Sequence, residues 1–201
     1  MSGNAPGIAA IVLAAGRSTR MGAANKLVAD IDGKPMVRRV VEAALASQAR
    51  PVLVVTGHQA DDVRAALAGL DVAFVTNPNY ATGLSSSLKA GIRALSKEVD
   101  GALVMLGDMP RIEGAHLHAM IAAFASKAGS VIVVPMHEGR RGNPVLWPAA
   151  LFGEMLALQG DVGARRLMAK HASQVREIDL GTDAVLMDVD TPDALARLLK
   201  S

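Results

Sequence analysis

The 201-residue sequence predicts an α/β fold, a mostly parallel sheet with helices on both faces. Three observations predict it. Short apolar runs of strand length alternate with amphipathic helical stretches along most of the chain. The runs are continuously apolar, as in strands buried on both faces. Apolar residues make up 51% of the chain and aromatics only 2%, so Ala, Val, Leu, Ile and Met must build the core.

Residues 1–7 read as a flexible leader before a single domain over 8–201. Ile8 to Leu13 is an unbroken apolar run ending in Ala14-Ala15-Gly16, so it predicts a buried first strand. A polar loop from Arg17 to Leu27 follows. Pro35 opens a helix over Met36 to Ser47, with Val37, Val40, Val41, Ala44 and Leu45 on one face. Strands are predicted at Val52–Val55, Val72–Val75, Ala102–Leu106 and Val131–Val134. Between them lie helices at Gln59–Leu67, Leu84–Leu95 and Ala115–Ala125. The last third is less regular. Turn residues around Gly139 to Trp147 suggest a hairpin, and helices are expected at about Ala149–Leu158 and Val162–His171. Val175–Asp179 and Val185–Val189 read as edge strands, and Thr191-Pro192 starts a closing helix.

Composition removes several classes of function. There is no Cys, which excludes disulfides, zinc–thiolate sites and thiol nucleophiles. Basic and acidic residues nearly cancel, at 21 against 19, without a dense Lys/Arg run or stacking aromatics, so no nucleic-acid partner is expected. The first apolar run is too short for a signal segment or a membrane span, and the expected location is the cytoplasm with no membrane partner.

Chemistry concentrates in a few motifs. Leu13 to Lys26 reads L-A-A-G-R-S-T-R-M-G-A-A-N-K and follows the first strand, where open α/β sheets bind ligands. Small residues at Ala14, Ala15 and Gly16 let a ligand approach the backbone, whose N–H groups suit phosphate oxygens. Arg17, Arg20 and Lys26 bring three cations to one loop. The plain alternative is a solvated surface loop. The chain has neither G-x-x-x-x-G-K-[ST] nor G-x-G-x-x-G, so this is not a P-loop or a standard dinucleotide fingerprint.

L-G-D-M-P, Leu106 to Pro110, places Asp108 at a strand end, as a Mg²⁺ ligand or as the cap of the next helix. D-V-D-T-P, Asp188 to Pro192, would put Asp188 and Asp190 on one face of a strand. Together with Asp108 they could clamp metal, or Asp190 or Thr191 could cap the closing helix. N-P-N-Y-A-T-G-L-S-S-S-L, Asn77 to Leu88, opens a helix with Gly83 and three serines, either to bind ribose or base or for ordinary capping. Two Gly-rich basic turns, Gly139–Trp147 and Gly160–Arg166, suit an anionic second substrate or are simply solvated. The five histidines show no metal-ligand spacing.

In this order, L-A-A-G-R-S-T-R-M-G-x-x-N-K, L-G-D-M-P, G-N-P-V-L and D-V-D-T-P resemble the molybdenum cofactor nucleotidyltransferases, from Ile8 to Leu199. The cytidylyltransferase branch is the nearest match. Guanylyl-transferring relatives typically carry Gly-Gly at Ala14-Ala15 and Asn at Asp188 and Asp190. The resemblance implies a Rossmann-like nucleotidyltransferase fold, CTP as donor, Mg²⁺ as cofactor and Mo-molybdopterin as acceptor. An apo-molybdenum hydroxylase would be the client.

By matching position, the resemblance assigns Leu13, Ala14, Ala15 and Gly16 to base and ribose. It assigns Lys26 and Arg20 to the triphosphate, and Asp108 with one or both of Asp188 and Asp190 to the metal. Arg17, Ser18, Gly22, Asn77, Gly83 and Ser85 complete the expected nucleotide set. Gly142, Asn143, Pro144 and Arg165 form the expected acceptor set. Many cytidylyl relatives carry His where this chain has Asn143. The rivals are another phosphorylated acceptor, GTP as donor, or a non-catalytic cofactor carrier.

Overall fold

The computed structural model describes residues 6–17, 25–158 and 163–199, and one α/β unit accounts for them. The main sheet contains β1 (Ile8–Ala14), β4 (Val52–Thr56), β5 (Ala73–Thr76), β6 (Gly101–Leu106), β7 (Ile132–His137), β8 (Arg140–Arg141), β9 (Val145–Pro148) and β10 (Val175–Asp179). Its order is β10-β7-β9-β6-β1-β4-β5, with β8 paired to β7. Pairings of β1 with β4 and β6, of β4 with β5, and of β7 with β10 are parallel. Strand β9 runs antiparallel between β6 and β7. A small hairpin, β2 (Asp30–Ile31) and β3 (Lys34–Pro35), stands apart.

Strand alternation divides the core in two. Ala10, Val12 and Ala14 of β1 face one cluster, and Ile11, Leu13 and Ala15 face the other. The first cluster is covered by α1 (Met36–Ala46), α2 (Ala60–Ala66) and α4 (Gly114–Ala125). Val40, Val41, Leu117 and Phe124 pack there. The second is covered by α3 (Leu84–Arg93), α5 (Phe152–Ala157) and α6 (Gly163–Lys170), through Leu88, Ile92, Met155 and Leu167. Each fully buried Val, Leu or Phe side chain contributes about 1.5–3 kcal/mol of transfer free energy. An acid at Val40, which has no exposed surface, would therefore break the fit of α1 on the sheet.

Loop-to-strand hydrogen bonds align the carboxyl ends of the central strands. Asn77 N donates to Thr56 O (2.8 Å), His58 N to Ala15 O (3.3 Å) and Gly107 N to Leu13 O (3.0 Å). The chain end joins the same rim, because Val189 N donates to Asp108 O at 3.0 Å. Val189 is buried with Ile31 and Met36, and α7 (Pro192–Leu198) packs on them through Leu195 and Leu198.

The structure matches the predicted α/β class and corrects the sequence reading in two places. The turn after β7 is a hairpin with β8, but β9 crosses back to pair with β6 and β7 instead of extending that hairpin. Val185–Val189 is not an edge strand. A 3₁₀ turn spans Asp183–Leu186, and residues 187–190 continue without a strand partner. Close approach of Gly142 to this turn guides the path. A Cβ on Gly142 would lie 2.1 Å from Val185 O, and Asn143 N donates to that same oxygen at 2.8 Å.

Candidate active site

Burial at the first strand's carboxyl end leaves a groove whose floor is apolar and whose rim is charged. This first cavity has a volume of about 470 Å³. Leu13 lines it from the end of β1 and Ala15, Gly16 and Arg17 from the turn after it, and Leu106 and Asp108 line it at and just beyond the end of β6. Tyr80, Ala81 and Gly83 line it from the β5–α3 connection, and Leu84 and Ser87 from α3. Lys26, Leu27 and Asp190 also line it.

A 3₁₀ turn, Lys26–Val28, carries the lysine. Asn25 caps it by accepting from Leu27 N at 3.1 Å, and Leu27 anchors it in the core. The Lys26 Nζ donates to Asp108 Oδ2 and to Asp190 Oδ1, both at 2.6 Å. Side-chain exposure is 12% for Lys26, 15% for Asp108 and 40% for Asp190, so water screens the second pair more than the first.

Burial pushes the Asp108 carboxyl above the usual range. The Lys26 ammonium opposes that shift, and Asp190 and Asp188 reinforce it. Burial works to lower the Lys26 pKa, but Asp108 and Asp190 together outweigh it and raise it. Both directions describe a crowded site in which two carboxylates share one cation. Asp108 Oδ1 is buried without a hydrogen-bond partner among the described residues. An atom of that kind suits an incoming cation.

A second cavity of about 530 Å³ adjoins the first, and Leu13, Leu84 and Leu106 line both. Trp147, Val134 and Met168 give it apolar walls, with Arg141, Gly142, Asn143 and Asp188 as its polar part. Arg141 is steered by Glu177, which accepts from its Nε at 2.6 Å.

The structure brings Lys26, Asp108 and Asp190 together as the motifs predict, beside Leu13, Ala15, Gly16, Arg17 and Gly83. Ala14 is buried and faces the other side of the sheet. Asp188 and Asp190 do not share a face. The segment is not a strand, and the two carboxylates line different cavities on either side of buried Val189.

Among the described residues, no group of three or more His, Asp or Glu is placed to hold a metal. Asp108 and Asp190 are thus a two-carboxylate set, which fits Mg²⁺ completed by phosphate oxygens and water. Asp108 is not a helix cap. Glu113 and His116 cap α4, and Thr191 caps α7 through its hydroxyl.

Asn77 and Ser85 do not line the first cavity. Asn77 is buried, and its amide donates to Ser86 Oγ (2.9 Å) and Ser87 Oγ (3.0 Å). Its role is to lock the β5–α3 connection. The alternative of a serine cap does not hold, because Gly83 (φ 108°) is the N-cap of α3 and there is no side-chain cap. Ser85 lines the second cavity. Of the acceptor set, Gly142 and Asn143 line that cavity, and Pro144 is buried beneath. Ser18, Arg20 and Gly22 lie outside the described residues, as does the Arg165 side chain.

Sequence reasoning missed Tyr80 and Gly57. A Cβ on Gly57 would lie 2.6 Å from Tyr80 Cβ and 2.9 Å from Ala15 Cβ. The missing side chain lets three loops meet beside the cleft. The usable signals were a glycine two residues past the apolar run Val52–Val55 and the chain's only tyrosine.

Comparison with known proteins gives a consistent result. A family model described as the MobA-like NTP transferase domain matches residues 10–175. The bifunctional protein GlmU of Agrobacterium fabrum is 35% identical over 161 residues, covering 78% of this chain but only 33% of that protein. The purine catabolism protein PucB of Bacillus subtilis is 29% identical over 208 residues, covering 94% of each. Among solved structures, Rv0371c of Mycobacterium tuberculosis H37Rv superposes with a TM-score of 0.86 at 29% identity, covering 98% of this chain and 100% of that one. That protein is also known as a complex with manganese, at a TM-score of 0.83 and 28% identity, covering 97% and 99%.

Proposed function

The chain belongs to the MobA-like NTP transferase family, and on that premise we propose that it transfers CMP from CTP to Mo-molybdopterin, releasing pyrophosphate, with Mg²⁺ as cofactor. The observation that carries this reading is the convergence of Lys26 on Asp108 and Asp190, in a cleft walled by the turn after β1. Ala14-Ala15, in place of the Gly-Gly of guanylyl relatives, favours CTP over GTP.

The nucleotide occupies the first cavity, with backbone groups of Leu13–Gly16 against base and ribose, and Arg17 and Lys26 against the phosphates. The acceptor occupies the second cavity. Its apolar walls take the ring system, and Arg141 and Asn143 lie at its polar end. An acceptor phosphate oxygen attacks the α-phosphorus of CTP in line. The new P–O bond forms as the bond from the α-phosphorus to the β-phosphate oxygen breaks, and pyrophosphate leaves with the electron pair.

The Lys26 ammonium stabilises the charge that develops on the departing pyrophosphate. The rest of the acceleration comes from holding both phosphates in the joined cavities. An acceptor phosphate is already ionised near neutral pH, so no general base is required. Neither cavity has a histidine among its described lining residues. Asp108 and Asp190 would hold the divalent ion. When bound, it would supply Lewis-acid neutralisation of phosphate charge. The manganese complex of Rv0371c supports a divalent ion in this family.

The assay is pyrophosphate release from each nucleoside triphosphate with Mo-molybdopterin. CTP-specific release is expected. A GTP preference would sink the role given to Ala14-Ala15, and release only with a different phosphorylated acceptor would replace molybdopterin. No release with any acceptor would favour a cofactor carrier.

A further inference from the structure

We propose that the Lys26 ammonium sits where a divalent metal would bind, and that divalent metal binds well only once a triphosphate draws Lys26 off the aspartates. This rests on the nucleotidyl-transfer reading above and adds an order of events to it. The lysine expected to meet phosphate and the carboxylates expected to hold metal are bonded to each other at 2.6 Å. An ammonium has three protons, and two of them are committed here. A divalent metal at the same oxygens would lie beside the ammonium in a site where Lys26 and Asp108 are mostly shielded from water.

The set is nevertheless built for more charge than it has. Lys26 brings one positive charge to two carboxylate oxygens, and Asp108 Oδ1 remains buried with no partner among the described residues. A divalent ion would balance both carboxylates, but only after Lys26 leaves. A triphosphate in the same cleft offers Lys26 several anionic oxygens at once. Its departure then removes the ammonium from Asp108 Oδ2 and Asp190 Oδ1. By linkage, nucleotide and metal each strengthen the binding of the other by the same factor. The device keeps Lys26 paired with the carboxylates between turnovers and disfavours metal without substrate.

The test titrates Mn²⁺ into wild type, Lys26→Met and Lys26→Arg without nucleotide, by calorimetry and by thermal melting. Lys26→Met is expected to bind Mn²⁺ at least about tenfold tighter than wild type, a coupling of ordinary allosteric size. Its melting temperature should fall without metal and recover with Mn²⁺. Lys26→Arg keeps the positive charge and should bind Mn²⁺ as weakly as wild type. Wild type should gain Mn²⁺ affinity when α,β-methylene-CTP is added, after correction for the chelate formed in solution.

Equal Mn²⁺ affinity in Lys26→Met and wild type would overturn the proposal. So would a wild type that binds Mn²⁺ as tightly without the analogue as with it, a result that needs no variant to fold. Failure of wild type to bind CTP in Mg²⁺ buffer would instead refute the nucleotide reading, while the metal comparison among the three proteins would stand.

Discussion

The Lys26 Nζ lies 2.6 Å from Asp190 Oδ1, although 164 positions separate the two residues in sequence. This contact closes the far end of the chain onto the loop after the first strand. The hydrogen bond from Val189 N to Asp108 O fixes the backbone beside it. Segments from three distant parts of the sequence therefore form one charged rim.

Replacing Lys26 with Ala should lower turnover far more than nucleotide affinity. Loss of a transition-state donor costs about 10²–10³ in kcat, whereas the KM for CTP should move less than about tenfold. Steady-state kinetics with CTP as the varied substrate checks this. A rise in KM alone would assign Lys26 to ground-state binding.

Asp108→Ala should abolish Mg²⁺-dependent turnover. Asp190→Asn should retain more activity and more stability, because Asp190 is 40% exposed and its pair with Lys26 is screened. Activity measured across a Mg²⁺ series separates the two. Intact Mg²⁺-dependent turnover in Asp108→Ala would exclude that residue as an essential ligand.

Asp188→Ala should raise the acceptor KM and leave CTP binding unchanged, since Asp188 lines the second cavity and not the first. Calorimetry with CTP, beside acceptor-dependent kinetics, distinguishes this from a metal role. A shifted Mg²⁺ requirement would return Asp188 to the metal set.

Two glycines should respond differently to Ala. At Gly57 the new Cβ would press on the Cβ atoms of Tyr80 and Ala15. The variant should fold, lose about 1–3 kcal/mol to overpacking and bind CTP more weakly as Tyr80 shifts. At Gly142 the obstacle is the Val185 carbonyl, which cannot rotate away. Gly142→Ala should melt lower than Gly57→Ala, as differential scanning calorimetry would show.

A surface pair supplies a pH-dependent control. Lys34, through a 2.8 Å hydrogen bond, holds the Glu42 carboxyl below its ordinary value, aided by Arg38 and opposed by partial burial. A depressed carboxylate pKa stabilises the fold above the unfolded value of 4.5, and the benefit disappears as pH falls through the folded pKa. Glu42→Gln should therefore cost under about 1 kcal/mol at pH 7 and nothing near pH 2. Melting curves at both pH values test the sign.

Much of this was readable in the sequence because strands buried on both faces appear as unbroken apolar runs. β1, β4 and β6 stand out for that reason, and the residues just beyond them mark the cleft. Lys26 and Asp108 follow from the same logic. What could not be read depends on tertiary contact. β9 is short and apolar like its neighbours, and nothing in Val145–Pro148 states that it runs antiparallel between β6 and β7. The 3₁₀ turn at Asp183–Leu186 looked like strand because Val185 and Val189 are β-branched and separated by an even spacing. Asp188 and Asp190 were consequently placed on one face. Tyr80 gains its position from the bare Cα of Gly57, a relation between loops that local pattern does not express.

A crystal structure with α,β-methylene-CTP and Mn²⁺ bears on all of this at once. The triphosphate should lie along Gly16, Arg17 and Lys26, and the anomalous Mn²⁺ peak should fall between its phosphates and the Asp108–Asp190 pair. The ring of Tyr80 should border the nucleotide. Analogue and metal bound elsewhere, with Lys26 still held by both aspartates, would contradict the account.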